Sequence, residues 1–171
     1  MRYQVFAADR GTIPRMSFDE IVEIFRALDR EGVEYVLVGG VAIGLHGFER
    51  ATADVDLFVN PTEENSSRLR SALRSVFHDP SIAEITAQDL SGEYPIIRYG
   101  PPSADYTIDI LGRLGPEISF EDLEFETMRI GDANVKLATP KTLYRMKRDT
   151  VRPIDRIDAE VLKKAFHLED D

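Results

Sequence analysis

Alternating helical and strand patterns predict an α/β chain of the α+β kind, a sheet flanked by helices and followed by C-terminal helices. Three observations carry this expectation. A capped amphipathic helix leads into a short apolar strand that ends in a diglycine turn. A second strand opens with two carboxylates one residue apart. Two proline-initiated helical patterns close the sequence.

The elements follow in order. Ser17-Phe18-Asp19-Glu20 is a capping box, and Ile21, Ile24, Phe25 and Leu28 recur at helical spacing toward a stop near Gly32. Tyr35–Val38 reads as a short buried strand entering Gly39-Gly40, with a brief helix over residues 41–47. Val55, Leu57 and Val59 alternate with Asp54, Asp56 and Phe58, the signature of a strand with one core face. Asn60 caps the next predicted helix, with Pro61 at its first position and Leu69, Ala72, Leu73, Val76 and Phe77 as its buried stripe. From His78 to Asp105 the pattern is poor, and prolines and Gly92 mark loops around a strand near Ile96–Tyr99. Tyr106, Ile108 and Ile110 alternate with Thr107 and Asp109 in another strand. A hairpin follows from Phe125–Ile130 through Gly131-Asp132-Ala133-Asn134 to residues 135–137. Thr139-Pro140 opens a helix, and Pro153 opens the last one, with Ile154, Ile157, Val161, Ala165 and Phe166 expected on its buried side.

At 171 residues the default is a single domain over the whole chain, 1–171, and its 43% hydrophobic and 30% charged residues are those of a globular protein. No apolar run approaches the roughly 18 residues that span a bilayer, so no membrane partner is expected. The first sixteen residues lack the charged-then-apolar order of a secretion signal. With zero cysteines, thiolate zinc sites and cysteine nucleophiles are excluded, and a cytoplasmic location is expected. Only three histidines remain, so any metal should be hard and oxygen-bound, Mg²⁺ or Mn²⁺. A net charge of −10 argues against broad nucleic-acid binding, yet residues 141–164 hold 8 basic and 4 acidic side chains. Such a stripe suits capture of one polyanion, and equally a pair of solvated amphipathic helices.

Period-two geometry places Asp54 and Asp56 on one strand face, roughly 7 Å apart. Like charges that close suit a metal clamp, although an isolated Asp-x-Asp also suits a solvated strand start. The Gly39-Gly40 turn could present backbone N–H groups to phosphates, or serve only as a tight corner. A third carboxylate would complete a catalytic site; Asp109 is the best candidate because it leaves the core face of its strand, and Asp105 is a rival that caps a turn more naturally. Asp54, Asp56 and Asp109 could then hold two metals and drive in-line attack on phosphorus, with Asp109 accepting the proton of the attacking hydroxyl. Lys147 and Arg152 could neutralise a triphosphate, though Arg152 and Asp155 also suit a helix-start ion pair. Arg50 and Thr52 are candidate phosphate contacts on a loop, and His46 reads as a helix-terminal donor rather than a ligand.

Leu37-Val38-Gly39-Gly40, then His46-Gly47, Arg50, Thr52 and Asp54-Val55-Asp56-Leu57, resembles the nucleotidyltransferase superfamily, which shares a fold with DNA polymerase beta. More narrowly the chain is similar to the small bacterial and archaeal members grouped with abortive-infection (AbiEii-type) toxins. Lys147, Arg152, Asp155 and Asp158 look like the lysine, arginine and twin-aspartate pattern of that group. The resemblance spans residues 17–166 and implies a mixed β-sheet, Mg²⁺, and transfer of a nucleoside monophosphate from a triphosphate to an acceptor hydroxyl. It implies Asp54, Asp56 and Asp109 as metal ligands, Gly39 and Gly40 as the phosphate turn, and Lys147 as a triphosphate contact. Many relatives carry serine where this chain has Gly40. The acceptor could be RNA, protein or a small molecule, and an antitoxin is an expected protein partner if the chain is the toxin of a toxin–antitoxin or phage-defence pair. Two other readings are a nucleotide-binding module without catalysis, acting through a partner, and a structural α/β domain with an acidic edge.

Overall fold

The computed structural model describes residues 16–170. The expected absence of a leader and the outer ends of the single-domain reading concern residues 1–15 and Asp171, which lie outside the described residues. Six strands form one mixed sheet in the order β3-β4-β2-β1-β6-β5.

Helix α1 (Phe18–Arg30) begins at the expected capping box: Ser17 Oγ accepts from the Glu20 amide, and Glu20 accepts from the Ser17 amide at 2.7 Å. Its stripe of Ile21, Ile24, Phe25 and Leu28 is buried, and it packs on α3 and β6. Strand β1 (Tyr35–Val38) is buried along its length, as a central strand of four apolar residues must be. It runs antiparallel to β2 (Asp54–Val59) and parallel to β6 (Ala133–Ala138). Between β1 and β2 lies α2, which starts at Gly39 itself and ends at Leu45, two residues earlier at each end than the spacing predicts. In β2, Val55, Leu57 and Val59 are buried as expected, and so is Phe58. Past Asp56 this strand is covered on both faces, so its carboxylates sit where the second face opens.

Helix α3 (Glu63–Phe77) starts later than expected. Thr62, not Asn60, is the cap, accepting from the Asn65 amide at 3.2 Å. Asn60 instead donates to Glu34 Oε2 at 3.0 Å, which ties the end of β2 to the start of β1. Leu69, Ala72 and Leu73 are buried, whereas Val76 and Phe77 are half-buried at the rim. The poorly patterned segment holds a 3₁₀ turn (Pro80–Glu84) and the short helix α4 (Ala87–Ser91), too brief to register as a hydrophobic period, before β3 (Ile96–Tyr99). Strand β3 pairs antiparallel with β4 (Thr107–Leu111), which lies parallel to β2. The hairpin of β5 (Phe125–Ile130) and β6 is tighter than expected: Ile130 pairs with Ala133, so only Gly131 and Asp132 turn, with Gly131 at φ 60°. Helices α5 (Pro140–Lys147) and α6 (Pro153–Phe166) open at Thr139 and Pro153 as expected and pack on each other.

The buried side of α6 differs from expectation. Asp155, Asp158, Ala159 and Leu162 face inward, while Ile157, Val161 and Phe166 are exposed and Ile154 is half-buried. The reason is electrostatic: the inward face meets an ammonium group on α5, described below. Phe166 still makes edge contacts with His46 and Phe48, with ring centres 5.8 and 6.0 Å apart.

Candidate active site

The parallel register of β2 on β4 sets Asp56 opposite Asp109 and Asp54 opposite Thr107. Side chains of register partners emerge on the same face of a sheet, so all three predicted carboxylates share one face. The Asp56 carboxyl is pushed up to about 6, by burial first and then by the charges of Asp109 and Asp54, while Lys147 and Arg152 act in the opposite direction. The coupling places five of the predicted residues within electrostatic reach of one point. Asp105 is exposed in the loop before β4 and takes no part. Thr107 Oγ1 donates to Asp54 Oδ1 at 2.6 Å, orienting that carboxylate.

The glycine corner lies directly against Asp56. Gly39 adopts φ 72°, a conformation that L side chains rarely take. A Cβ there would lie 2.1 Å from Asp56 Oδ2, so glycine is required by contact as well as by backbone geometry. A Cβ on Gly40 would stand 2.9 Å from Thr52 Cβ and 3.1 Å from its Oγ1. Thr52 fills the space that a serine at position 40 would need, and brings a hydroxyl of its own to the corner. That hydroxyl also bonds the Asp54 carbonyl at 3.2 Å, fixing the entry into β2.

The basic residues are less free than their sequence positions suggest. Lys147 is buried, with Nζ 2.6 Å from Asp155 Oδ1 and 3.0 Å from Asp158 Oδ2. Arg50 pairs with Asp158 at 3.3 Å, and Arg152 reaches Asp155 at 3.7 Å from a largely exposed position. Arg152 and Asp155 thus form the helix-start pair that was the alternative reading. Burial alone would raise the Asp155 carboxyl; the Lys147 contact and the Arg152 charge more than offset this and hold it below its ordinary value. His46 Nε2 lies 2.8 Å from the Ala138 carbonyl oxygen, consistent with a donor role rather than with ligation.

One residue at the site was not found from sequence. Arg98, the register partner of Asp109 on β3, grips that carboxylate with both arms: Nε to Oδ1 and Nη2 to Oδ2, each 2.8 Å. Among the described residues no group of three or more acidic, histidine or cysteine side chains is gathered so as to hold a metal ion. The donor set nevertheless fits a hard cation in kind. Three carboxylates lie on one face, and Asp56, raised by burial first and then by the charges of Asp109 and Asp54, is a group whose ionised form a nearby cation would favour.

The sequence model of the nucleotidyl transferase AbiEii toxin family, Type IV TA system, matches residues 24–156. The chain belongs to this family. The matched region runs from within α1 into α6 and so includes both acidic strands, the glycine corner, Lys147 and Arg152. The fold of this AbiEii-family chain is that of nucleotidyltransferases. An antigenic nucleotidyltransferase-like protein from Paracoccidioides brasiliensis superposes with a TM-score of 0.57 at 20% identity, over 90% of this chain and 79% of that one. ANT(2")-Ia, solved in complex with adenylyl-2"-tobramycin, superposes with a TM-score of 0.53 at 13% identity, over 87% and 88% of the two chains. Among curated protein sequences none matches this AbiEii-family chain. No helix among the described residues is long and apolar enough to cross a membrane.

Proposed function

We propose that this chain is a metal-dependent nucleotidyltransferase that moves a nucleoside monophosphate from a triphosphate to an acceptor hydroxyl. One observation carries the reading: the register that sets Asp56 opposite Asp109, with Asp54 two residues along and Gly39 against Asp56 Oδ2. Asp54, Asp56 and Asp109 would hold Mg²⁺ or Mn²⁺, which when bound neutralises triphosphate charge and the charge that builds on phosphorus. The corner at Gly39 and Gly40 keeps side chains away from the phosphates and turns backbone N–H groups toward them. Thr52 lies beside that corner, with its hydroxyl proton given to the Asp54 carbonyl. Arg152, exposed at the mouth, and Lys147 behind it draw the polyphosphate in. The acceptor oxygen attacks the α-phosphorus, the bond from that phosphorus to the bridging oxygen of the β-phosphate breaks, and pyrophosphate leaves. Asp109 takes the proton of the attacking hydroxyl.

Membership of a toxin–antitoxin family supports a toxin role with an antitoxin as protein partner. The acceptor classes that fit the chemistry are RNA, protein and small hydroxyl compounds. ANT(2")-Ia, which shares the fold, was solved in complex with adenylyl-2"-tobramycin, and this keeps small hydroxyl compounds among the acceptors to test. The test is incubation of the protein with each labelled triphosphate, Mg²⁺, and in turn total RNA, total protein and small polyols. Label should move to one acceptor class and stay put when EDTA replaces Mg²⁺. Asp56→Asn should remain folded and lose at least a hundredfold in transfer; undiminished transfer would remove the carboxylates from the mechanism. Asp109→Asn should lose transfer while keeping most triphosphate affinity, measured by calorimetry. Metal-independent triphosphate binding without transfer to any acceptor would instead favour the binding-module reading.

A further inference from the structure

Two cations approach the acidic face in contrasting ways. Lys147 is buried and held by two carboxylates of α6, so its position is fixed. Arg98 stands on β3, the outermost strand on that side of the sheet, with its side chain 67% exposed while that of Asp109 is only 13% exposed. Its guanidinium donates one hydrogen bond to each Asp109 oxygen. The row across the sheet therefore reads Asp56 on β2, Asp109 on β4 and Arg98 on β3, all in register.

We propose that Arg98 is a displaceable counter-ion: it occupies Asp109 in the metal-free protein and swings into solvent when a divalent cation takes its place. The inference rests on the reading of Asp54, Asp56 and Asp109 as metal ligands. Three arguments support it. A bidentate guanidinium commits both oxygens of the carboxylate it grips, and its charge repels a second cation at the same group. The arginine head is exposed, so water solvates it on release, and the incoming cation takes over the neutralisation of the buried Asp109. Asp109 without any cation would face Asp56 across a single strand spacing, so a resident positive charge is what allows the acidic face to persist in the absence of metal. The exchange has a chemical consequence. While Arg98 grips Asp109, the guanidinium occupies one lone pair on each oxygen and its charge makes the carboxylate a weaker base for an incoming hydroxyl.

The experiment measures Mn²⁺ binding to the full chain without nucleotide, by electron paramagnetic resonance of the free ion and by calorimetry. Arg98→Gln should tighten Mn²⁺ binding at least fivefold, and Arg98→Lys, which keeps the charge but loses the two-armed grip, should tighten it less. Arg113→Gln removes one exposed positive charge whose guanidinium donates to the Gly92 carbonyl and should leave affinity within twofold of the unaltered protein. Equal or weaker binding in Arg98→Gln, or equal tightening in Arg113→Gln, overturns the counter-ion. Adding Asp56→Asn separates this failure from a failure of the metal site. If Mn²⁺ binding depends on Asp56 but not on Arg98, only the counter-ion falls. If binding is unaffected by Asp56, the metal site falls with it.

Discussion

At the scale of single residues, Asp56 carries the cost of the site. Its carboxyl titrates near 6 rather than the ordinary 3.8 because it is buried beside Asp109 and Asp54. A carboxyl whose folded value is raised binds more protons in the folded than in the unfolded state between those two values. Stability therefore falls as pH rises from about 4 to about 6 and stays reduced above that. Asp56→Asn should accordingly raise the stability of the metal-free protein at pH 7.5 by about 3 kcal/mol, with the gain vanishing near pH 4. Urea unfolding at the two pH values checks this, and a destabilised variant at pH 7.5 would contradict it. Metal should reverse the order, stabilising the parent and not the variant. Gly40 and Thr52 make a second residue-scale case. Gly40→Ser alone should cost about 1–3 kcal/mol by overpacking against Thr52, and much of that should return in the double variant with Thr52→Gly. A double-mutant cycle in thermal unfolding reads the coupling, and simple additivity would show the two sites to be independent.

At the scale of elements, α6 meets the body of the protein through Ala159, Leu162 and the ion pairs of Asp155 and Asp158 with Lys147, not through the aliphatic stripe that helical spacing suggests. Lys147→Met leaves Asp155 and Asp158 buried with only the longer contacts to Arg152 and Arg50 and should cost about 3 kcal/mol, read as a lower urea midpoint at pH 7. Asp155 contributes in the opposite sense to Asp56. Its folded value is depressed, so its share of stability is present above the unfolded value and is lost as pH falls through the folded one. The same elements show what local sequence reveals. The glycine corner and the Asp54–Asp56 pair are legible because they lie within one strand–turn–strand passage, where spacing fixes geometry. Asp109 is legible by alternation against Ile108 and Ile110, which are fully buried. The pairing with Arg98 is not legible, since it depends on how β3 registers on β4, and no local pattern sets that. The face of α6 was misread because apolar spacing assumes that aliphatic groups fill the helix contact, whereas here Asp155 and Asp158 turn inward to meet Lys147. Thr62 rather than Asn60 caps α3 because the chain stays extended through Thr62, whose hydroxyl meets the Asn65 amide.

Across the whole molecule the charge balance follows the architecture. The chain carries −10, yet its basic C-terminal helices bring Lys147 and Arg152 to bear on Asp56. The acidic body should keep long polyanions away from most of its surface, and the proposed site would take one triphosphate with its cation. Mixed sheet order was implied by family resemblance; the position of β3 at the edge and of β1 and β2 at the centre came only with the three-dimensional arrangement, because strand order depends on contacts between distant segments.

The parallel seam between β2 and β4 joins residues such as Asp54 and Thr107 that are 53 positions apart in the chain. A slip of one residue along this seam would invert every side chain of β4, sending Ile108 and Ile110 to water and turning Asp109 into the apolar interior. Misalignment is thus penalised twice, by wetted isoleucine and by a stranded acid. The arrangement that seats the third acid of the proposed site also proofreads the pairing of the two strands that carry these acids.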